Sequence, residues 1–207
     1  MRHLLPIALL AAAAAGNAQA ATQAYRIDPV HSSVVFNVDH NGFSRSFGRL
    51  RISDGNLSFD PDNWAASSVD ATIDLASVDM GDSAWDKVVR GSSLLDAERA
   101  PNARFTSDSV EKRGDDEGVL HGKLTLRGVT LPLDIPFRVN RVGKTIYGLH
   151  TIAGFSANLV LDRTKFGMTS NTGSIGTQVS VWLEIEAIRG GESPASHDKE
   201  NPDAHAQ

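Results

Sequence analysis

The sequence has no cysteine among its 207 residues, and this absence excludes several kinds of chemistry. Without thiols the chain cannot form a disulfide, bind zinc through thiolates or use a cysteine nucleophile. It also lacks a basic excess, because 20 lysines and arginines face 25 acidic residues and give a net charge of −5. A nucleic-acid partner is therefore not expected. The one local basic cluster, Arg45, Arg49 and Arg51, is typical of a solvated strand face, with a head-group site as the alternative.

Long hydrophobic runs are absent as well, apart from one at the N-terminus. Residues 4–15 are apolar, follow Arg2 and His3, and precede Ala18-Gln19-Ala20. This pattern predicts a signal peptide over residues 1–20, cleaved after about Ala20, and a periplasmic or secreted protein. The run is shorter than the ~20 residues that a membrane span requires. The polar residues 190–207 predict a disordered tail, which leaves residues 21–189 as one domain.

What the sequence does contain is alternation of apolar and polar residues, the pattern of strands with one buried face. Two clear examples have inward stripes at alternate positions: Val129, Leu131, Leu133, Ile135, Phe137 and Val139; and Val179, Val181, Leu183, Ile185 and Ala187. The alternating segments predict an all-β fold of roughly eight antiparallel strands. Pro132 and Pro136 fall on the polar side of the first stripe and predict a kink, bulge or edge there.

Turn signals and one helix punctuate these strands. Asp54-Gly55, Arg127-Gly128 and Gly143-Lys144 are among the predicted turns. Asp82 or Ser83 can cap a short helix that ends near Gly91, with Trp85, Val88 and Val89 on one face. In an all-β chain such a segment commonly closes one end of a barrel.

The sequence contains no recognisable catalytic signature or metal-ligand spacing. His31, Asp39 and His40 are the nearest approach to a reactive cluster. On one strand Asp39 and His40 would point to opposite faces, with His31 far away at the other end. We therefore predict no catalytic residue and no metal. The alternative is a cofactor-free hydrolase or isomerase with His31 or His40 as base and Asp28 or Asp39 as its orienting partner.

Several segments, in register along the chain, carry a family resemblance. They are Tyr25-Arg26-Ile27-Asp28-Pro29-Val30-His31-Ser32 with Phe36 and His40, Phe47-Gly48, Phe59-Asp60-Pro61, Pro101-Asn102-Ala103-Arg104-Phe105-Thr106-Ser107, Gly122-Lys123-Leu124-Thr125-Leu126-Arg127-Gly128-Val129-Thr130 and Asp162-Arg163-Thr164-Lys165-Phe166-Gly167. The chain resembles the YceI-like polyisoprenoid-binding family over residues 25–188. The resemblance implies an exported, eight-stranded antiparallel, lipocalin-like barrel that encloses an isoprenoid or similar lipid and has no catalytic residue. Leu94-Leu95 stands where many members carry an aromatic pair.

A barrel of this size either fills its interior with side chains or holds one small ligand. The residues alone favour a dry core, which would suit a structural or stress-response partner protein; the resemblance favours a hollow one. On the latter basis we expect a long-chain amphiphile, such as an isoprenoid quinone or a polyprenyl phosphate, and no other cofactor. Transient membrane contact and a homodimer are compatible with this role. The residues predicted to line or gate the ligand space are His31, Phe36, His40, Phe43, Phe47, Trp85, Phe105, Phe155 and Phe166.

Overall fold

The computed structural model describes residues 22–146 and 149–190. The predicted signal peptide and residues 191–207 of the predicted tail lie outside these ranges. Within them the chain forms one α-helix, α1 (Ser83–Arg90), and nine strands. The strands are β1 (Gln23–Ile27), β2 (Ser33–His40), β3 (Ser44–Phe59), β4 (Ser68–Asp79), β5 (Asn102–Lys112), β6 (Glu117–Leu126), β7 (Val129–Lys144), β8 (Thr151–Asp162) and β9 (Ile175–Arg189).

The strands close into an antiparallel barrel. From β2 to β9 each strand pairs with the next, and β9 returns to pair with β2. β1 and β2 share one position in the wall, because both lie between β3 and β9 and are separated by a short turn. Nine strands minus this shared position leave eight, so the predicted eight-stranded barrel is confirmed.

Apolar and polar residues alternate along the strands, so that one side of each strand faces the core. A bulge changes which residues of the strand face inward. In β9, Val181 and Ala187 are buried while Trp182 and Glu184 are exposed. In β5 the register with β6 shifts between Ser107 and Ser109. A bulge of one residue reverses which side chains face inward. The buried positions accordingly pass from Ala103 and Phe105 to Val110.

Two predicted turns are wrong, and both contain a glycine without positive φ. Gly143 pairs with Ile152, so β7 continues through Lys144 and the connection to β8 lies within residues 145–150. Gly55 lies inside β3, where the Ile27 side chain packs over it. By contrast, Arg127 and Gly128 have φ values of 54° and 76° and form the predicted two-residue hairpin turn.

The half of β7 that contains Pro132 and Pro136 pairs with a neighbouring strand on one side only, and that strand is β6. Residues 129–138 pair with β6, whereas the ladder with β8 begins only at the Phe137–Ala157 pair and shifts between Val139 and Arg141. Among the described residues, Pro132 and Pro136 therefore have no ladder partner on β8. Of the three predicted alternatives, the prolines therefore lie at a local edge, and the bulge between Val139 and Arg141 lies beyond them.

Helix α1 lies in the connection between β4 and β5. Asp82 caps it, since its Oδ1 accepts hydrogen bonds from the Ala84 and Trp85 amides at 3.0 and 3.1 Å. Gly91 follows its last residue. In the described ranges, 22–146 and 149–190, no helix is long and apolar enough to cross a membrane. After α1, Leu94 and Leu95 are buried against the barrel core.

Candidate functional site

An apolar cavity of about 510 Å³ occupies the half of the barrel next to α1. Its walls come from all strands except β1, and from the connections that carry α1 and Phe166. The end that includes α1 is called the mouth here. Trp85 and Val88, which are 45% and 57% exposed, bring the cavity lining to the protein surface at this end. Among the lining residues only Asp39, His40, Ser46 and Arg163 are polar.

Five of the residues predicted from the sequence line this cavity: Phe36, His40, Trp85, Phe105 and Phe166. Phe105 and Phe166 are buried in its wall, whereas Trp85 lies at the mouth. The His40 ring lies 5.5 Å from the Trp85 ring, centroid to centroid, so strand β2 and helix α1 are in contact there. The structure thus brings these five side chains from separate parts of the chain to one space.

The other four predicted residues lie outside this lining. Phe43 is 91% exposed in the turn between β2 and β3, and Phe47 stacks on Trp182 on the outer wall with ring centroids 6.3 Å apart. Phe155 lies deeper in the barrel, 5.3 Å from the ring of Phe59. His31 lines a second cavity of about 460 Å³ beside the end of β7. Arg45, Arg49 and Arg51 are exposed on the outer face of β3.

His31 belongs to the turn that separates β1 from β2. Its Nδ1 lies 2.8 Å from Asp28 Oδ2, and Asp28 Oδ1 accepts a hydrogen bond from the Val30 amide at 2.8 Å. The hydrogen bond to Asp28 raises the pKa of His31, against a smaller opposing effect of burial. Burial would raise the pKa of Asp28, but the hydrogen bonds from His31 and Val30 together lower it. Both hydrogen bonds of Asp28 therefore stabilise the turn between β1 and β2.

Asp39 and His40 also have partners other than each other. Asp39 Oδ1 accepts a hydrogen bond from the Gly42 amide at 2.9 Å, whereas His40 Nε2 lies 3.3 Å from the side-chain nitrogen of Asn41. These contacts stabilise the turn between β2 and β3. In the described part of the chain, no group of His, Asp and Glu side chains is arranged to hold a metal ion.

Arg163 is a buried cation at the mouth, only 3% exposed. Its guanidinium donates hydrogen bonds to four carbonyl oxygens: Gly176 at 2.9 Å, Ile175 at 2.9 Å, Ser170 at 3.0 Å, and Met168. Burial lowers its pKa, and the nearby Asp162 partly offsets this effect. Arg163 therefore holds the connection from β8 to β9 in place as one wall of the cavity.

The sequence pattern gave Arg163 no role in the site. The predicted inward stripes include the lining residues Ile135 and Val181, but these were not predicted as ligand contacts. Arg163 follows Asp162, whose side chain accepts a hydrogen bond from the Thr164 amide and caps a 3-10 turn, Arg163–Phe166. That Asp-x-Thr spacing was a usable signal for a structured turn. Nothing in the local pattern shows that its arginine is buried. Leu94 and Leu95 also line the cavity.

Comparison with known proteins agrees with this barrel. The model of the YceI-like domain matches residues 25–187. The chain belongs to the YceI-like family. A UPF0312 protein of Yersinia pestis (strain Pestoides F) is 35% identical over 177 residues, 84% of this chain and 90% of the relative. A UPF0312 protein of Pectobacterium atrosepticum is 33% identical over 177 residues, 86% of this chain and 91% of the relative.

Solved structures extend the YceI-like likeness to the fold. The crystal structure of Burkholderia cenocepacia BcnA has a TM-score of 0.70 and 25% identity, and covers 77% of this chain and 98% of its own. A polyisoprenoid binding domain from Saccharophagus degradans has a TM-score of 0.61 and covers 81% of this chain and 99% of its own. At 16% identity, this second likeness concerns the fold alone.

Proposed function

We propose that this protein binds a long-chain amphiphile in the apolar cavity and carries or sequesters it, without covalent chemistry. The observation that carries the proposal is the space of about 510 Å³ whose lining is almost entirely apolar and reaches the surface beside Trp85. Ligand pockets commonly have volumes of about 300–1,000 Å³. The few polar lining groups lie at the mouth, where the head group of an amphiphile would meet them.

Energetics favour an occupant. Because the cavity reaches the surface, its apolar walls would face water without a ligand, which is unfavourable by about 25 cal/mol for each Å² of apolar surface exposed. A hydrocarbon chain would instead gain about 0.8 kcal/mol for each methylene that leaves water. Because a bilayer offers the same gain, exchange between membrane and cavity would be nearly neutral.

An isoprenoid is the chemical class we propose first, as a quinone or a polyprenyl phosphate. Support comes from family membership and from the similar fold described as a polyisoprenoid binding domain. We propose no catalysis, because the contacts of Asp28, His31, Asp39 and His40 described above are those of two structural turns.

The test is lipid retention. The exported chain would be purified without detergent and examined by native mass spectrometry and by organic extraction. We expect about one amphiphile per chain. In Phe36→Asp a charge enters the cavity wall, and we expect the lipid to be lost. The matched control is Val160→Asp, which places the same charge on the outer wall, where Val160 is 58% exposed.

Three results would contradict the proposal. Wild-type protein without any bound amphiphile, and unable to take one up from vesicles, would favour a structural partner protein with no ligand. Equal lipid content in Phe36→Asp and wild type would place the lipid elsewhere. A turnover that depends on pH and is lost on His31→Ala or His40→Ala would favour the enzyme alternative.

Loading from a membrane would use the mouth. Phe43, Trp85 and Val88 expose apolar side chains at this end, and such groups favour contact with a bilayer surface. We propose a transient contact of this kind, and we expect transfer of lipid from vesicles to be slower for Phe43→Ser than for wild type.

Export to the periplasm or beyond is likewise proposed, and a mature N-terminus at about Ala21 would support it. A homodimer would be tested by sedimentation.

A further inference from the structure

Four aromatic rings lie below the cavity and form what is called the aromatic floor: Phe59, Trp64, Phe137 and Phe155. Each ring touches two others in a closed circuit, with centroid distances of 5.8 Å, 5.5 Å, 6.2 Å and 5.3 Å. The Trp64 indole is fixed by a hydrogen bond of 3.0 Å from Nε1 to the Pro61 carbonyl oxygen. None of the four rings belongs to the cavity lining. Phe137 follows the lining residue Ile135 by two positions on β7 and packs against the buried cluster that contains Ile135, so the cavity ends just above this packed layer.

Glycines set the width above this floor. The Phe36 ring lies against Gly48, and the Phe105 ring lies against Gly122. A Cβ atom at Gly48 would come within 2.8 Å of Phe36 Cε1, and one at Gly122 within 2.6 Å of Phe105 Cζ. The two rings thus occupy space that side chains would otherwise fill on the neighbouring strand. This placement leaves the middle of the barrel open.

Volume then limits the occupant. A methylene group is similar in size to a water molecule, whose share of liquid volume is about 30 Å³, so 510 Å³ accommodates roughly 17 carbons. A ligand with two such chains needs about twice that space. The polar lining residues are at the mouth, so the chain enters with its tail toward the floor.

We infer that the barrel selects a single-chain amphiphile with about 15–20 carbons enclosed, and that the aromatic floor sets this length. The inference rests on the proposed function and deepens it. A longer chain projects its remaining carbons from the mouth. Phe155 is the residue to change, because it touches both Phe59 and Phe137 and so closes the circuit from strand β8.

The test is a chain-length series. Delipidated protein would be loaded with cis-parinaric acid, and straight-chain alcohols of 8 to 22 carbons would displace this fluorescent probe. We expect affinity to increase as much as fourfold with each added carbon up to a break at about 15–20 carbons, and to change little beyond it. In Phe155→Ala, which removes six ring carbons, the break should shift by roughly three to five carbons.

Controls distinguish failure of the chain-length inference from failure of the proposed function. Trp182→Ala removes an aromatic side chain from the outer wall and should leave the break unchanged. If Phe155→Ala does not fold, Phe155→Leu should give a smaller shift in the same direction. An affinity that increases evenly through 22 carbons, or a break that stays in place in the folded Phe155 variant, overturns the inference. Failure of every alcohol and of the probe to bind wild type overturns the proposed function instead.

Discussion

Replacing Gly48 by alanine tests the cavity with the smallest available change. The new Cβ would lie 2.5 Å from Met80 Sδ and 2.8 Å from Phe36 Cε1. Both are far ends of flexible side chains that border open space, so they can move into the cavity. The usual cost of overpacking a core, about 1–3 kcal/mol, should therefore be largely avoided. We expect the free energy of unfolding of the ligand-free protein to change by less than about 1 kcal/mol.

Binding should respond differently. One added methyl group takes from the ligand the space of about one carbon, worth about 0.8 kcal/mol, which corresponds to roughly fourfold weaker binding. Only chains that fill the cavity should be affected. We expect fourfold weaker binding for an alcohol of 16 carbons and no change for one of 8 carbons, measured by displacement of cis-parinaric acid.

The matched control is Gly173→Ala, because a Cβ at Gly173 meets nothing within 4 Å. This variant should bind both alcohols like wild type. If Gly48→Ala weakens binding of the short and the long alcohol equally, then movement of the Phe36 ring weakens binding by some means other than a smaller cavity volume. Unchanged binding of the long alcohol would mean that Phe36 does not border the ligand, and either result refutes the reasoning.

Three further predictions concern stability. Gly122→Ala should destabilise the fold by about 2 kcal/mol or more in urea unfolding, because its Cβ would meet the Thr106 carbonyl oxygen and Ser107 Cα, which are backbone atoms. Arg163→Lys should cost at least about 2 kcal/mol, because one ammonium cannot reach four carbonyl oxygens that now accept charged hydrogen bonds. His31→Ala should cost less than about 1 kcal/mol at pH 5.5 and almost nothing at pH 9, since His31 is exposed.

The pH window of the last prediction follows from the two pKa shifts. The raised pKa of His31 gives stability that is complete below its unfolded value of about 6.5 and lost as pH rises through the folded value. The lowered pKa of Asp28 gives stability that is present above about 3.9 and lost as pH falls through the folded value. An equal effect of His31→Ala at both pH values would contradict the ion pair.

Controls for the other two variants use the same measurement. Lys165→Ala changes an exposed cation two residues from Arg163 and should shift the free energy of unfolding by less than about 0.5 kcal/mol. If Arg163→Lys is as stable as Lys165→Ala, the four carbonyl contacts do not hold the connection. If Gly122→Ala is no less stable than Gly48→Ala, the distinction between backbone and side-chain neighbours is wrong.

The sequence predicted the parts of the fold that local pattern determines. Alternation in β9 located the inward stripe from Val179 to Ala187, and Asp82 located the start of α1. The two wrong turns share one physical cause: glycine permits a turn but does not require one. At Gly55 the Ile27 side chain, distant in sequence, occupies the space that a turn would have left open.

The candidate site was predicted less completely, because a cavity is a property of side chains that meet across the barrel. Phe36, Phe105 and Phe166 were found through inward positions and the family resemblance. Phe47 is aromatic as well, but its place on β3 puts it on the outer wall with Trp182. The register between β2 and β3 decides that Phe36 faces inward and Phe47 faces outward. That register depends on the pairing of two strands, which cannot be read from the sequence of either strand alone.

The gap in the ladder between β7 and β8 makes the barrel wall uneven in strength. Leu133 and Ile135 on one side, and Leu159 and Leu161 on the other, all line the cavity. Among the described residues, no ladder pair joins residues 129–136 to residues 158–162. Side-chain packing joins the two strands there, whereas the ladder with β9 runs along β8 from Ile152 to Asp162. Local opening needs the least free energy where the fewest such bonds must break. We therefore expect local opening of the wall to begin between these two strand segments.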